Sequence, residues 1–327
     1  MEVIRGLRNL KAKPVKPVVT LGNFDGAHLG HQAIFRRTKE RAAEIGGIPV
    51  VYTFDPHPLK LLSSGAELSL LCTFKKKMEL LASCGMSMTV CADFTRAFAA
   101  MHPRDFAVKL ATGLEMDTVV VGFNYSFGQG RAGSIDYLKK MGQELGFRVE
   151  VVEPVTVDGE RVSSSLIRGL LEAGEVEKST RLLGRYYSME GKVVPGHHRG
   201  GSVVGFPTAN LKTPSEVIPA VGVYAVFAKI EGGEPLDGVV NVGLNPTFDR
   251  DDLVVETHLL DAKGDMYGAE MEIFFLQRLR DEVRFESVEK LREQISADTK
   301  KAMELLSKAR GQDRFMDNFT AGATDEK

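Results

Sequence analysis

Between Val18 and Val152 the sequence alternates short apolar runs with segments of helical periodicity. This alternation is typical of βαβ units, in which helices cover both faces of a mostly parallel sheet. The first helical segment keeps its apolar residues close to one face, and Gly46 predicts where that helix ends. The first half of the chain is therefore limited to an α/β fold. Its predicted strands are residues 18–21, 50–54, 88–91, 119–123 and 148–152.

The pattern changes in the second half of the chain. Residues 186–285 form strand-like runs that are punctuated by Gly and Pro, which is typical of a compact antiparallel β-barrel. An amphipathic helix at about residues 288–308 follows and is expected to close the barrel. The apolar residues predicted to cover the barrel are Leu291, Ile295, Met303 and Leu306.

Two domains agree with the length of 327 residues, which exceeds the size at which one core usually stops growing. The helical segment at residues 163–183 ends at Gly184, and we place the hinge there. The predicted organisation is a first domain at residues 1–184, a second at 185–309, and a flexible tail at 310–327.

The net charge of −2 excludes the broad basic surface that duplex nucleic acid requires. No apolar run reaches the ~18 residues of a membrane span, and the first residues lack the apolar segment of a secretory signal, so we expect a cytoplasmic protein without membrane or nucleic-acid partners. The three cysteines predict neither a disulfide framework nor a zinc site. The lysines at 75–77 could form a phosphate-binding patch, but beside apolar residues they favour the solvated start of a helix.

The segment GNFDGAHLGH at residues 22–31 lies between the first predicted strand and the first helix. A helix N-terminus after a strand offers free N–H groups and a favourable dipole to phosphate. His28 and His31 are three residues apart, on one side of the first helical turn, and Gly30 lets phosphate approach. Two histidines alone are more often structural, but this placement favours a nucleotide site.

In this position the segment resembles the HxGH signature of the nucleotidyltransferase superfamily, and its longer form is similar to bacterial FMN adenylyltransferases. Three later segments are similar to that family: FDPHP at 54–58, GFNYSFG at 122–128 and SSSLIR at 163–168. A tight turn or a helix N-cap could also explain the prolines and one serine. The resemblance implies a Rossmann-like domain that transfers AMP from ATP to FMN. It implies His28 and His31 as catalytic residues, Gly22, Asn23, Phe24, Asp25, Gly30, Ser164, Ser165 and Arg168 as nucleotide-binding residues, and Pro56, His57, Pro58, Asn124 and Phe127 as flavin-binding residues.

The second half carries GHHRGG at 196–201 and GFPTAN at 205–210. Backbone N–H groups of a glycine-bearing loop can hold phosphate, and Thr208 with Asn210 present two oxygens suited to Mg²⁺. The GFPTAN segment matches the signature of the riboflavin kinase family, and the segments at 241–247, 255–261 and 267–268 agree with it. This resemblance implies Glu256 as the catalytic carboxylate, Gly196 and Gly205 as nucleotide-binding residues, Arg280 and Arg284 as flavin-binding residues, and Thr208 and Asn210 as Mg²⁺ ligands.

Both resemblances together span roughly residues 15–308 and imply a bifunctional enzyme that phosphorylates riboflavin to FMN and adenylylates FMN to FAD. ATP, riboflavin and FMN are then its small-molecule partners. Two alternatives stay open: an adenylyltransferase for another phosphate-bearing substrate such as phosphopantetheine, and a flavin-binding regulatory protein with one or both sites inactive. The sequence leaves the oligomeric state open, with a monomer among the options.

Overall fold

The computed structural model describes residues 1–62, 68–195, 209–244, 253–260, 266–312 and 315–320. Its contacts divide the chain into two compact units. The first comprises Met1–Ser69 and Phe74–Ser164, together with the C-terminal residues from Thr320, and the second comprises Leu70–Thr73 and Ser165–Phe319. The two helices before Gly184 thus group with the second unit, whereas the sequence boundary lies after them. That boundary stays a prediction.

The first unit is built on a six-stranded sheet with all neighbours parallel. Its strand order is β1-β4-β3-β2-β5-β6, so the five predicted strands are confirmed. The four central strands are buried on both faces, which explains why they read as mostly apolar runs. Their bounds are β1 Glu2–Arg5, β2 Val18–Leu21, β3 Pro49–Asp55, β4 Met88–Asp93, β5 Thr118–Gly122 and β6 Arg148–Val152, with a separate hairpin formed by β7 Thr156–Val157 and β8 Glu160–Arg161.

Strand β1 was not predicted. It pairs in parallel with β4 at the edge of the sheet, where only Ile4 is buried among its four residues. A four-residue run with charged ends gives too little periodicity to identify a strand.

Helices connect the strands of this sheet. The first helix ends where predicted, since Gly46 caps it in the left-handed conformation with φ of 63°. Ile34, Phe35 and Ala42 form its buried face, as their spacing indicates. The helices of this unit are α1 Leu29–Ile45, α2 Pro58–Leu62, α3 Phe74–Ser83, α4 Arg96–Ala99, α5 Pro103–Leu114 and α6 Ile135–Leu145.

The helical segment predicted at residues 163–183 is two helices, α7 Ser164–Glu172 and α8 Val176–Leu183. Gly174 lies between them with φ of +79°, a conformation that interrupts a right-handed helix. The sequence pattern missed this break because apolar residues recur at helical spacing on both sides of the glycine.

The second unit contains a closed six-stranded barrel, as predicted. All its strand pairs are antiparallel, in the order β10-β13-β12-β11-β14-β9. Side chains of Tyr187, Tyr224, Phe275 and Ile273 are fully or almost fully buried. The strands are β9 Tyr187–Val194, β10 Ala209–Lys212, β11 Gly222–Ile230, β12 Leu236–Leu244, β13 Leu253–Leu259 and β14 Glu270–Arg280.

The long closing helix is confirmed as α9, Val288–Arg310. Leu306 packs with Ala302 and Ala309 against a core that includes Ala225 and Phe227 of β11. Met303, also predicted to cover the barrel, is 53% exposed. Met303 follows Ala302, so its side chain is rotated by about 100° around the helix axis and points away from that core.

The sequence predicts a flexible tail after Arg310, but the structure places Phe315–Phe319 in a 3-10 helix. Phe319 is 4% exposed, and its ring lies 4.7 Å from that of Phe274. Aromatic burial therefore holds this short segment on the barrel unit. Within the described ranges, no helix is both long and apolar enough to cross a membrane.

Candidate active sites

The order of the parallel strands places one candidate site at the carboxyl end of β2. The chain passes from β2 to β3 on one side of β2, and later returns to β5 on its other side. In open α/β sheets, ligands bind beyond the carboxyl ends of strands at such a reversal. The segments that follow β2 and β5 are the ones that resemble the adenylyltransferase motifs.

The loop after β2 has an unusual backbone. Phe24 and Ala27 adopt positive φ angles of 53° and 40°, and Gly26 has φ of 76°. A Cβ atom at Gly22 would lie 2.8 Å from the Phe24 ring, so only glycine fits there. Asp25 is 5% exposed within this turn. The predicted loop residues therefore form one tightly folded turn that leads into α1.

The two predicted catalytic histidines lie together at the start of α1. Their rings stack with centroids 3.6 Å apart, and His28 caps the helix by accepting a hydrogen bond from the His31 N–H at 3.3 Å. A Cβ atom at Gly30 would lie 3.1 Å from the His28 ring, so the glycine leaves room for the imidazole. Burial first, and the neighbouring His28 second, hold the pKa of His31 well below its usual value. His31 is therefore neutral at physiological pH, and its buried Nδ1 has no hydrogen-bond partner among the described residues.

One serine of the SSSLIR segment is joined to the loop after β2. Ser164 donates a hydrogen bond to the Asp25 carbonyl at 3.0 Å. Arg168 donates to Ser165 at 3.4 Å on α7. Ser165 and Arg168 group with the second unit, so their predicted part in nucleotide binding stays a prediction.

The residues predicted to bind flavin differ in their surroundings. His57 lies between the cis peptide at Asp55–Pro56 and the start of α2 at Pro58. The residue is 8% exposed, and its Nδ1 accepts a hydrogen bond from the Leu59 N–H at 3.2 Å. Asn124 is exposed. The Phe127 ring lies in the core with Phe106, Tyr125 and Tyr137. Direct contact between flavin and any of these residues stays a prediction.

Two of the three lysines at 75–77 are less exposed than the sequence predicts. Lys75 is exposed, but Lys76 and Lys77 are only 9% and 8% exposed. The expectation of a solvated run is therefore wrong for two of the three lysines. Helical spacing explains the difference, because Lys77 is three and four residues before the buried Leu80 and Leu81.

The second candidate site lies on the wall of the barrel. Glu256 of β13 pairs in register with Asn210 of β10 on one side and with Asn241 of β12 on the other. Side chains of directly opposed residues share one face of a sheet, so the three polar groups form a row across three strands. The predicted Glu256 and Asn210 are thereby brought together. Gly196, Gly205 and Thr208, also predicted for this site, lie outside the described residues.

Two residues at this site, Asn241 and Glu282, were missed as candidate site residues. The buried Oδ1 of Asn241 has no hydrogen-bond partner among the described residues. The Glu282 carboxylate and the Asn241 side chain both lie next to Gly243. A Cβ atom built on Gly243 would be 2.6 Å from Glu282 Oε1 and 3.1 Å from Asn241 Nδ2, so the two polar groups are neighbours. Burial, and next the Glu282 charge, raise the pKa of Glu256 above its usual value, which makes it a stronger base. The strand register was needed to find Asn241 and the tertiary structure around Gly243 was needed to find Glu282, and the sequence gives neither.

Arg280, predicted to bind flavin, holds α9 in the structure. Its guanidinium binds Asp298 with distances of 2.9 Å from Nε and 2.8 Å from Nη2 to Oδ2. The Asp298 side chain is 8% exposed and also accepts a hydrogen bond from Gln294 at 2.9 Å. Arg284 is exposed. A flavin contact by either arginine stays a prediction, but a structural role for Arg280 follows from this bidentate pair.

We expect Asp298→Ala to lower the free energy of unfolding of the barrel unit by ~3 kcal/mol or more, because it leaves the Arg280 charge without its partner. Urea unfolding followed by circular dichroism measures the change. As a control, Glu286→Ala removes the exposed Glu286–Lys290 pair and should cost less than ~0.5 kcal/mol. Equal effects of the two substitutions would contradict a structural role for the buried pair.

Two family models together match most of the chain. A family model described as FAD synthetase matches residues 10–166, and one described as riboflavin kinase matches residues 183–306. A solved structure titled a macrolide-efflux protein, from Streptococcus pneumoniae, superposes with a TM-score of 0.85 at 30% identity and covers 92% of this chain and 98% of its own.

Curated relatives carry one shared name, bifunctional riboflavin kinase/FMN adenylyltransferase. The Escherichia coli K12 protein is 35% identical over 94% of this chain and 98% of its own. The Pseudomonas fluorescens protein is 36% identical over the same shares, and the Bacillus subtilis protein is 34% identical over 92% of this chain and 96% of its own. At this identity over nearly the whole length, the chain belongs to the family of bifunctional riboflavin kinase/FMN adenylyltransferases.

Proposed function

We propose that the two activities of the family are divided between two separate sites of this chain. Residues 1–184 adenylylate FMN, and residues 185–309 phosphorylate riboflavin. The observation that carries the proposal is that the chain has two independent polar centres. One is the stacked pair His28 and His31 at the reversal of the parallel sheet, and the other is the row of Glu256 with two asparagines on the barrel.

In the adenylylation step, an oxygen of the FMN phosphate forms a bond to the α-phosphorus of ATP. The bond from that phosphorus to the bridging oxygen of the β-phosphate breaks, and pyrophosphate leaves. No side-chain nucleophile is needed, so the site works by holding two anions in line and stabilising charge in the transition state. His28, the neutral His31, Arg168 and the N–H groups at the start of α1 would share this task.

In the phosphorylation step, the ribityl 5′-hydroxyl of riboflavin attacks the γ-phosphorus of ATP, and ADP leaves. Glu256 accepts the hydroxyl proton as the new O–P bond forms. Its raised pKa suits a general base, since a carboxylate of ordinary pKa holds a proton more weakly. Asn210 and Asn241, on the neighbouring strands, flank Glu256 and can orient the hydroxyl or the phosphate.

The donor set on the barrel fits Mg²⁺. The unpartnered amide oxygen of Asn241 lies on the strand next to Glu256, and amide and carboxylate oxygens are the ligands that hard cations prefer. Thr208, Asn210 and Asn241 would hold the ion, which would neutralise phosphate charge when bound, and Glu256 would stay free to act as the base. The proposal places the enzyme in the cytoplasm, with ATP, riboflavin and FMN as its partners.

A single incubation tests the proposal and its dependence on metal. Purified protein with riboflavin, ATP and Mg²⁺ should give FMN and then FAD by chromatography, and chelation of Mg²⁺ should reduce both products to background until the metal is restored. FMN without FAD would mean that the first site is inactive, and neither product would support a flavin-binding regulatory protein. AMP transfer to phosphopantetheine but not to FMN would support the other alternative.

A further inference from the structure

Lys77 of α3 is a buried lysine that neither proposed reaction step uses. Its side chain is 8% exposed, and its ammonium donates hydrogen bonds to the Phe54 carbonyl at 3.2 Å and to the Thr53 hydroxyl at 3.4 Å. Both acceptors are neutral. Among the described residues, no carboxylate forms an ion pair with Lys77. The ammonium also lies 5.5 Å from the centroid of the Phe74 ring. Within the part of the chain that the structure describes, the first unit therefore contains a buried ammonium ion without an ion-pair partner.

Such a group is costly. Burial of an ammonium ion without an ion-pair partner is among the most unfavourable arrangements in a protein interior, and proteins usually pair such a charge. The preceding residue shows the usual solution, because the equally buried Lys76 lies 3.5 Å from the Glu79 carboxylate. An ammonium has three donors, and the contacts of Lys77 employ two of them, one at a long distance. Lys77 thus has both the charge and a donor for an anion that arrives from solution.

The position of Lys77 indicates which anion this is. Thr53, which accepts from Lys77, donates to the Asn23 carbonyl at 3.3 Å in the loop after β2. Phe54, the other acceptor, immediately precedes the Asp55–Pro56 peptide and His57. Lys77 therefore lies between the loop with the nucleotide motif and the segment with the flavin motif. In the adenylylation reaction, the group that stands between flavin and nucleotide is the phosphate of FMN.

We propose that Lys77 binds the phosphate of FMN in the adenylyltransferase site and holds it for attack on the α-phosphorus. This inference rests on the proposed function of the first domain, the adenylylation of FMN. Lys77 itself forms and breaks no covalent bond, and after the reaction the same ammonium faces the flavin side of the FAD diphosphate. A flexible lysine is a compact point charge that suits this role, since it can leave the Thr53 hydroxyl for a phosphate oxygen.

The test compares Lys77→Met and Lys77→Gln with Lys76→Met, a neighbouring lysine of equal burial. We expect both Lys77 variants to raise the KM for FMN in FAD synthesis by ~10-fold to 100-fold, the range for loss of a hydrogen bond to a charged group. The KM for ATP, and the Ki of lumiflavin, which has no phosphate and cannot be phosphorylated, should change less than twofold. Lys76→Met should match the unsubstituted chain.

The thermal unfolding of the same preparations, followed by circular dichroism, shows whether the first unit is folded, and Lys77→Gln keeps a donor for the Phe54 carbonyl if the methionine variant is unstable. An unchanged KM for FMN in either folded variant overturns the proposal. Equal rises in the KM for FMN and the Ki of lumiflavin also overturn it, because a merely structural lysine would weaken the whole flavin pocket. Failure of the unsubstituted chain to convert FMN to FAD would instead reject the proposed function.

Discussion

The Glu256→Gln chain should form no detectable FMN from riboflavin, while it converts supplied FMN to FAD at the rate of the unsubstituted chain. Glutamine has nearly the size of glutamate but cannot accept the hydroxyl proton. Loss of a general base costs ~10²-fold to 10⁴-fold, and here it also removes the charge that faces the ribityl hydroxyl. The measurement is chromatographic, with riboflavin and ATP in one reaction and FMN and ATP in a second.

The adenylylation reaction controls for the amount of active protein, and circular dichroism of the same preparation shows that the barrel is folded. A second control is Glu282→Gln, which removes the other carboxylate of the barrel site without removing the proposed base. We expect this variant to retain FMN formation at a reduced rate, because Glu282 contributes to the raised pKa of Glu256. Undiminished FMN formation in the Glu256→Gln chain would remove Glu256 from the role of base.

Most of the fold of the first half could be predicted because its central strands are buried on both faces. All residues of β2 are buried, as are residues 50–53 of β3, so each reads as an apolar run between helices. Edge strand β1 lacks that signal, since Ile4 alone is buried. The other edge strand, β6, has no fully buried residue and was found from its valines, which favour strands.

Lys77 marks a limit of reasoning from composition. Three consecutive lysines suggested a solvated helix start, although the spacing of Lys77 to Leu80 and Leu81 places it on the buried face. The periodicity carried the correct signal, but the general rarity of buried lysine outweighed it. A buried lysine without an ion-pair partner among the described residues, next to the predicted flavin segment at 54–58, is unusual, and proteins often keep such unfavourable groups at functional sites.

In the barrel, the motifs identified Glu256 and Asn210 but not their neighbours. Asn241 is 31 positions from Asn210 in the sequence, and only the shared partner Glu256 brings the two asparagines to one face. Arg280 forms an ion pair with Asp298, 18 residues away, that the motifs did not indicate, while its flavin contact, implied by the family resemblance, stays a prediction. Both the asparagine row and the Arg280–Asp298 pair join residues that are far apart in the sequence, so a local sequence pattern does not reveal them.

The His28→Ala chain should lose FAD formation by ~10²-fold or more and keep riboflavin phosphorylation unchanged. The imidazole of His28 lies at the N-terminus of α1, stacked on the neutral His31, where a donor can stabilise charge on the transferring phosphorus. A loss of 10²-fold is ~2.7 kcal/mol of transition-state stabilisation. Initial rates of FAD formation at saturating FMN and ATP measure it.

Alanine also removes the helix cap that His28 provides to the His31 N–H, which costs ~1 kcal/mol of stability. His28→Asn separates the two roles, because asparagine is among the best N-cap residues but has no imidazole. We expect the asparagine chain to unfold at the same temperature as the unsubstituted chain and still to lose FAD formation by ~10²-fold. Recovery of FAD formation in His28→Asn would mean that His28 acts only as a cap, and loss of both activities in a folded His28→Ala chain would contradict the division of the two reactions between separate sites.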